Sequence, residues 1–162
     1  MTETRHQGGW FIVASFLLAY VLTIVPLPPW LTYARPDWVA LVLVYWCFAL
    51  PERVGVGVGW LCGLLQDVLQ SSLLGQHALA YALLAFLTLK LHQQVRVFPL
   101  WQQALSVMLL LLAVRLLVLW SNSFVGRPLP VTSYWLGALT GAVLWPAVFF
   151  LMRELRHRFG VR

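Results

Sequence analysis

Charge is scarce in this sequence. Of its 162 residues only 10% are Asp, Glu, Lys or Arg, and the acidic side chains number five. Soluble domains carry about 25% charged residues, and disordered chains are richer still in charge and poor in apolar side chains. An ordinary cytosolic enzyme and a disordered segment are both excluded. The five acids include no close pair inside an apolar run suited to acid–base work. The four histidines (His6, His77, His92 and His157) are scattered, without metal-ligand spacing to Cys, Asp or Glu. Cysteine is scarcer still: Cys47 and Cys62 both lie in apolar runs, with no C-x-x-C spacing, and act there as small hydrophobes. Period-two alternation is missing, which rules out a transmembrane barrel and leaves no strand for a phosphate loop to follow. Gly-x-Gly-x-Gly at 55–59 is therefore helix-packing glycine. No catalytic residue, no metal and no cofactor is expected.

What the chain has in abundance is apolar side chain. Hydrophobic residues make up 61%, and the 11 glycines bring the apolar share to about 68%, against about 45–50% in soluble domains. Mean hydropathy is +0.82. A water-soluble domain of this size cannot hide so much, because most of its residues touch the surface. The expected fold class is an all-α integral membrane protein, a compact bundle of six transmembrane helices in a single domain. Six spans of about 20 residues use about 120 and leave about 42 for loops and tails. The runs are 10–28, 36–50, 54–74, 75–89, 100–120 and 133–152. The first is too long for a signal-peptide core and ends in Pro26-Leu27-Pro28-Pro29-Trp30 without a small-x-small site, so it reads as a retained helix. Pro36 and Pro51 punctuate the second. A polar patch at Gln70-Ser71-Ser72 marks a tight re-entry between the third and fourth. The short fourth run leans on Lys90 snorkelling to the interface.

Charge placement sets the topology. With the amino terminus inside, Arg5, Arg53, Lys90, Arg96, Arg153, Arg156, Arg158 and Arg162 fall on the inner side. Arg35 and Arg127 fall outside, and Arg115 lies within a span. That asymmetry across short loops places both termini in the cytoplasm. It also explains the net charge of +6 without nucleic acid. Trp10, Trp30, Trp38, Trp101, Trp120 and Trp135 fall near run ends, where amphipathic rings anchor at the membrane interface.

Within the spans, the third run is the most informative. Gly55, Gly59 and Gly63 repeat every four residues, and Asp67 continues the row. Steps of four drift by about 40°, so Gly59, Gly63 and Asp67 share one face. The sixth run has Gly137 and Gly141, flanked by Ala138 and Ala142. Such faces let helices approach closely, either inside the bundle or against a partner's helix. Asp67 and Arg115 are the two formal charges within spans, at similar depths in the outer half. An unpaired charge at mid-bilayer costs at least about 2.5–3.5 kcal/mol. Two arrangements offset that cost: a direct Asp67–Arg115 contact, or Arg115 reaching outward with Asp67 held by water, backbone or Ser71. Arg35 and Asp37 flank Pro36 at the outer mouth of the second helix, as helix caps or as an outer docking surface. Arg153, Arg156 and Arg158 fix orientation and meet anionic lipid.

Several stretches closely resemble the bacterial rod shape-determining family MreD. They are Arg35-Pro36-Asp37-Trp38 with the run to Tyr45-Trp46, and Ala49-Leu50-Pro51-Glu52-Arg53-Val54. Gly59-x-x-x-Gly63-Leu64-Leu65-x-Asp67 with Gly75, Leu100-Trp101-Gln102-Gln103-Ala104-Leu105 and Gly141-x-x-x-Trp145-Pro146 complete the set. Their order and spacing extend over essentially the whole chain. The resemblance implies a non-enzymatic component of the elongation machinery, the Rod complex, in the bacterial inner membrane. Its implied partners are MreC, MreB, the polymerase RodA and a class B penicillin-binding protein. It also implies a bundle like the substrate-binding subunits of energy-coupling-factor vitamin transporters, with a cavity open to the outer side. Arg115 inside the fifth helix is a departure that touches any shared ligand of that cavity.

The expected function is a membrane scaffold that binds MreC and helps organise peptidoglycan synthesis, with one glycine face serving the bundle and another open to a partner. Homo-oligomer formation is compatible with the same faces. A second reading is a small-molecule- or lipid-binding subunit whose polar interior involves Asp67, Arg115, Gln66, Gln70 and His77. A third, an enzyme acting on a lipid-linked precursor, lacks residues to carry the chemistry.

Overall fold

The computed structural model describes residues 9–26, 28–29, 35–51, 54–70, 74–126 and 135–159. Regular structure among them is helical: α1 (Gly9–Ile24), α2 (Trp38–Ala49), α3 (Val56–Gln70), α4 (Gln76–Arg96), α5 (Leu100–Phe124) and α6 (Leu136–Phe159). Each apolar run yields one helix. Trp30, Glu52, Arg53, Ser71, Ser72 and Arg127, like both extreme termini with Arg5 and Arg162, lie outside the described residues.

The second helix occupies the centre. Every residue from Val39 to Phe48 is buried, because α1, α4 and α6 pack around it. A helix that is apolar all round suits burial in a core or in lipid, and this one takes the core. On the rest of the bundle, α4 packs between α3 and α5, and α5 against α6. Aromatic edges tie α1, α2 and α6 together: Phe11 to Trp46 at 5.8 Å, Tyr45 to Phe149 at 6.0 Å and Phe48 to Trp145 at 6.1 Å between ring centroids. Trp46 donates its indole N–H to Ser15 Oγ over 2.9 Å, and Tyr20 donates its hydroxyl to the Cys62 carbonyl over 2.6 Å. Cys47 and Cys62 are both buried and unbridged.

Polarity runs inside out. Val13, Leu17 and Leu18 of α1, Leu61 and Val68 of α3, Leu109 of α5 and Val143 of α6 are exposed, whereas Gln66, Asp67, Thr88, Gln103 and Arg115 are buried. Water-soluble domains show the reverse for charged side chains. The hydroxyls of Thr23, Thr88, Ser106 and Ser121 each donate to a carbonyl one turn back in their own helix, satisfying themselves without water. By length and composition α5 and α6 can cross a membrane, and α1 and α2 are shorter apolar helices.

Several helix ends differ from the sequence reading, the fourth and sixth most. The fourth helix runs on to Arg96, past Lys90, which sits 4.6 Å over the Phe86 ring. Lysine is a good helix former, so the helix continues through it. The sixth continues to Phe159, and the arginines of its last turn suit its carbonyl end. Two arginines also cap other helices' carbonyl ends: Arg35 donates to the Thr23 and Val25 carbonyls after α1, and Arg96 Nη2 donates to the Phe48 carbonyl over 2.8 Å.

Candidate functional site

Asp67 and Arg115 organise the polar interior, Asp67 through hydrogen bonds to the start of α4 and Arg115 through an ion pair with Asp37. Asp67 lies on α3 with its carboxyl fully buried. Its oxygens accept the backbone N–H groups of Gly75 at 2.9 Å, His77 at 2.9 and 3.1 Å, and Ala78 at 3.3 Å. Those N–H groups belong to the first turn of α4, which no intrahelical carbonyl can satisfy. The residue at the N-cap is Gly75, which has no side chain to cap with and sits at φ +96°, a conformation that glycine adopts without strain. Asp67 therefore caps α4 from the neighbouring helix, where its charge also meets the positive end of the helix dipole. His77 Nδ1 lies 2.8 Å from Asp67 Oδ1, and the His77 ring meets Tyr81 edge-on. With Asp67 ionised, Nδ1 carries the shared proton.

Arg115 turns to the mouth of α2 instead. Its Nε donates to Asp37 Oδ2 over 3.1 Å, and its Nη2 to the Arg35 carbonyl over 3.1 Å. Asp37 stands at the N-cap of α2 but makes no side-chain cap bond there. The direct Asp67–Arg115 contact weighed from sequence thus gives way to the Asp67–His77 and Arg115–Asp37 pairs. Each charge takes a partner other than the one its sequence position suggested. Part of the other arrangement is seen, with Asp67 held by backbone and Arg115 reaching toward the loop. Arg35 ties the start of α2 back to the end of α1, and Asp37 ties it to α5.

The glycines are spent inside the bundle. A Cβ at Gly59 would come within 2.7 Å of the Tyr81 carbonyl oxygen and 3.1 Å of Ala85 Cβ. At Gly63 it would overlap the His77 carbonyl and the Ala78 backbone, and at Gly55 it would touch Leu89 at 3.7 Å. The row on α3 is thus a backbone-to-backbone seam against α4, with Asp67 at its end. On α6, a Cβ at Gly137 would overlap the Arg115 guanidinium, and one at Gly141 would come within 2.7 Å of Leu111 Cδ1. Gly137 makes room for a charged group. All five glycines meet other parts of this chain.

Sequence reasoning missed the cross-helix cap. Its signal was legible: a helix starting after Gly75 without Ser, Thr, Asp or Asn at its cap, with an acid on the preceding helix's glycine face. It also missed the gathering of Arg96, Arg153, Arg156 and His157 around one cavity, since those residues are distant in the chain.

The cap makes a direct prediction. Asp67→Ala strands three buried N–H groups and should destabilise the protein by about 2–4 kcal/mol, since a lost cap costs about 1 kcal/mol and a stranded buried donor about 1–3. Asp67→Asn keeps an acceptor oxygen and should retain about half of that. Thermal unfolding of the purified protein in detergent reads both, and equal losses would show that hydrogen-bond acceptance is not Asp67's role.

The MreD model, described as rod shape-determining protein MreD, matches residues 4–155. The rod shape-determining protein MreD of Haemophilus influenzae is 35% identical over 157 residues, covering 96% of this chain and 97% of that one. This chain belongs to the MreD family. The match to MreD takes in α1 to α5 and most of α6, and with them Asp37, Asp67, Arg115 and the five glycines. No solved structure matches the chain. Membership in MreD makes this a rod shape-determining protein, a class concerned with cell shape.

Proposed function

We propose that this chain is a non-enzymatic membrane scaffold of the bacterial elongation machinery. It sits in the inner membrane through six spans with both termini in the cytoplasm, and it holds the single helix of MreC. Through that contact it helps organise peptidoglycan synthesis by RodA and its class B penicillin-binding partner along MreB. Membership of the MreD family supports the role, and the inside-out polarity of the helices supports the location. Because the glycine faces are occupied internally, the partner's seat moves elsewhere.

The observation that carries the binding reading is an apolar groove beside α1. It has a volume of about 210 Å³ and is lined by Ala14, Leu18 and Leu22 of α1, Val42 of α2, and Val148 and Leu151 of α6. Packing of α1 is chiefly against α2, so one flank stays open to a helix of matching character. Helix association in lipid depends on such close van der Waals fit. With Cys47 and Cys62 replaced by alanine, Leu18→Cys and Leu151→Cys should crosslink to cysteines along the MreC span. Leu109→Cys, exposed on α5, should not. Equal crosslinking from Leu109→Cys would move the partner off this groove.

A further inference from the structure

A concave feature lies at the end of the bundle where α2 and α4 finish, α5 begins and the last turns of α6 pass. Its volume is about 490 Å³, within the range of about 300–1,000 Å³ typical of small-molecule sites. Arg96 comes from α4, Arg153, Arg156 and His157 from α6, Tyr45 from α2 and Gln103 from α5. Among the described residues no carboxylate lines it. Glu154, the acid nearest in sequence, pairs with Arg158 over 3.2 Å, both exposed. Arg153 and Arg156 both act electrostatically on the Tyr45 hydroxyl, so their charges converge on one spot. Phe48 and Phe149 supply an apolar wall.

Gln103 adds an independent observation. It is 9% exposed, and its Nε2 donates to the Val95 and Phe98 carbonyls over 3.3 and 3.4 Å. Its Oε1 is buried with no hydrogen-bond partner among the described residues. A buried acceptor left unmade is costly and calls for a donor.

We infer that this cavity binds a phosphate-bearing anion that also carries a hydroxyl, as the headgroup of phosphatidylglycerol does. Arginine forks match phosphate oxygens in charge and geometry. The hydroxyl donates to Gln103 Oε1, and the aromatic wall takes the start of the acyl chains. The charge asymmetry places this end at the cytoplasmic leaflet, where anionic lipid is met. The inference rests on the membrane orientation proposed above, but not on the MreC contact.

The test uses the purified full-length chain in neutral detergent. Binding is followed as the rise in unfolding temperature on adding dioctanoyl phosphatidylglycerol, dioctanoyl phosphatidylcholine or inorganic phosphate. Phosphatidylglycerol should stabilise and phosphatidylcholine should not. Arg156→Gln should weaken the response by about tenfold or more, because it removes a charge-assisted contact. Gln103→Leu should weaken it less, and Arg158→Gln, whose partner is Glu154, should leave it intact. Unfolding temperatures without ligand show whether each variant is folded. A response to inorganic phosphate equal to that of the lipid supports the anion site and assigns it to free phosphate; a response to lipid alone assigns it to the headgroup. Equal stabilisation by phosphatidylcholine, or an undiminished response in folded Arg156→Gln, overturns the inference. Crosslinking at Leu18→Cys and Leu151→Cys, run in parallel, tests the MreC contact separately, so its failure leaves the anion site standing.

Discussion

Gly63→Leu is expected to destabilise the bundle severely, while Gly57→Leu leaves it intact. Both lie on α3, yet a Cβ at Gly57 meets nothing within 4 Å, whereas one at Gly63 overlaps backbone of His77 and Ala78. A clash with a side chain can be relieved by a rotamer change; this one requires α3 and α4 to move apart. Overpacking alone costs about 1–3 kcal/mol. The separation also pulls Asp67 away from the first turn of α4, adding about 1 kcal/mol or more for the cap. Against a typical total of about 5–15 kcal/mol, a loss of about 3 kcal/mol or more is severe. Gly59→Ala, which would come within 2.7 Å of one carbonyl oxygen, should fall between. Size-exclusion profiles and thermal unfolding in detergent read the series. If Gly63→Leu instead melts like the wild type and loses only its hold on MreC, the glycine row is a partner surface and the seam assignment is wrong.

How far this seam was visible in sequence depends on which coordinate is asked for. Four-residue spacing put Gly59, Gly63 and Asp67 on one face, and the structure uses that face as one continuous contact. Spacing cannot say which helix receives it. The central place of α2 was not legible, since α1 is just as free of charge and yet leaves Val13, Leu17, Leu18 and Val21 exposed. Helix ends were only partly legible. Lys90 resembled a boundary because a lysine in lipid is costly, but lysine favours helix, and α4 continues through it to Arg96. Arg115 is the clearest case of a missing coordinate. Counting residues gave an expected depth, and depth alone suggested Asp67; the structure pairs it with Asp37, a residue that local rules assigned to capping α2. The cavity at the other end combines Arg96 with residues about 60 positions later, a meeting set by the antiparallel return of α6 rather than by any local pattern.

The Arg115–Asp37 pair should reveal itself through unequal single losses and a strong coupling. Arg115 has a side chain 8% exposed, and Asp37 one 25% exposed. Removing the acid by Asp37→Asn leaves a nearly buried guanidinium with the Arg35 carbonyl and a neutral amide, a loss of about 3 kcal/mol by analogy with broken buried pairs. Removing the base by Arg115→Gln leaves Asp37 at the N-terminus of α2, where the helix dipole and partial exposure support its charge, so about 1–2 kcal/mol is expected. The double variant should cost clearly less than the sum, with a coupling of about 1 kcal/mol or more. Gly137 supplies an independent check. Gly137→Ala places a methyl where the guanidinium lies, so it should destabilise the wild type by about 1–3 kcal/mol as overpacking. In an Arg115→Ala background that obstruction is gone, and alanine's better helix propensity should make the same change stabilising by up to about 1 kcal/mol. A reversal of sign between the two backgrounds requires that Gly137 be kept small for Arg115 specifically. The same sign in both would mean that Gly137 serves the general packing of α6 and that the arginine merely lies nearby.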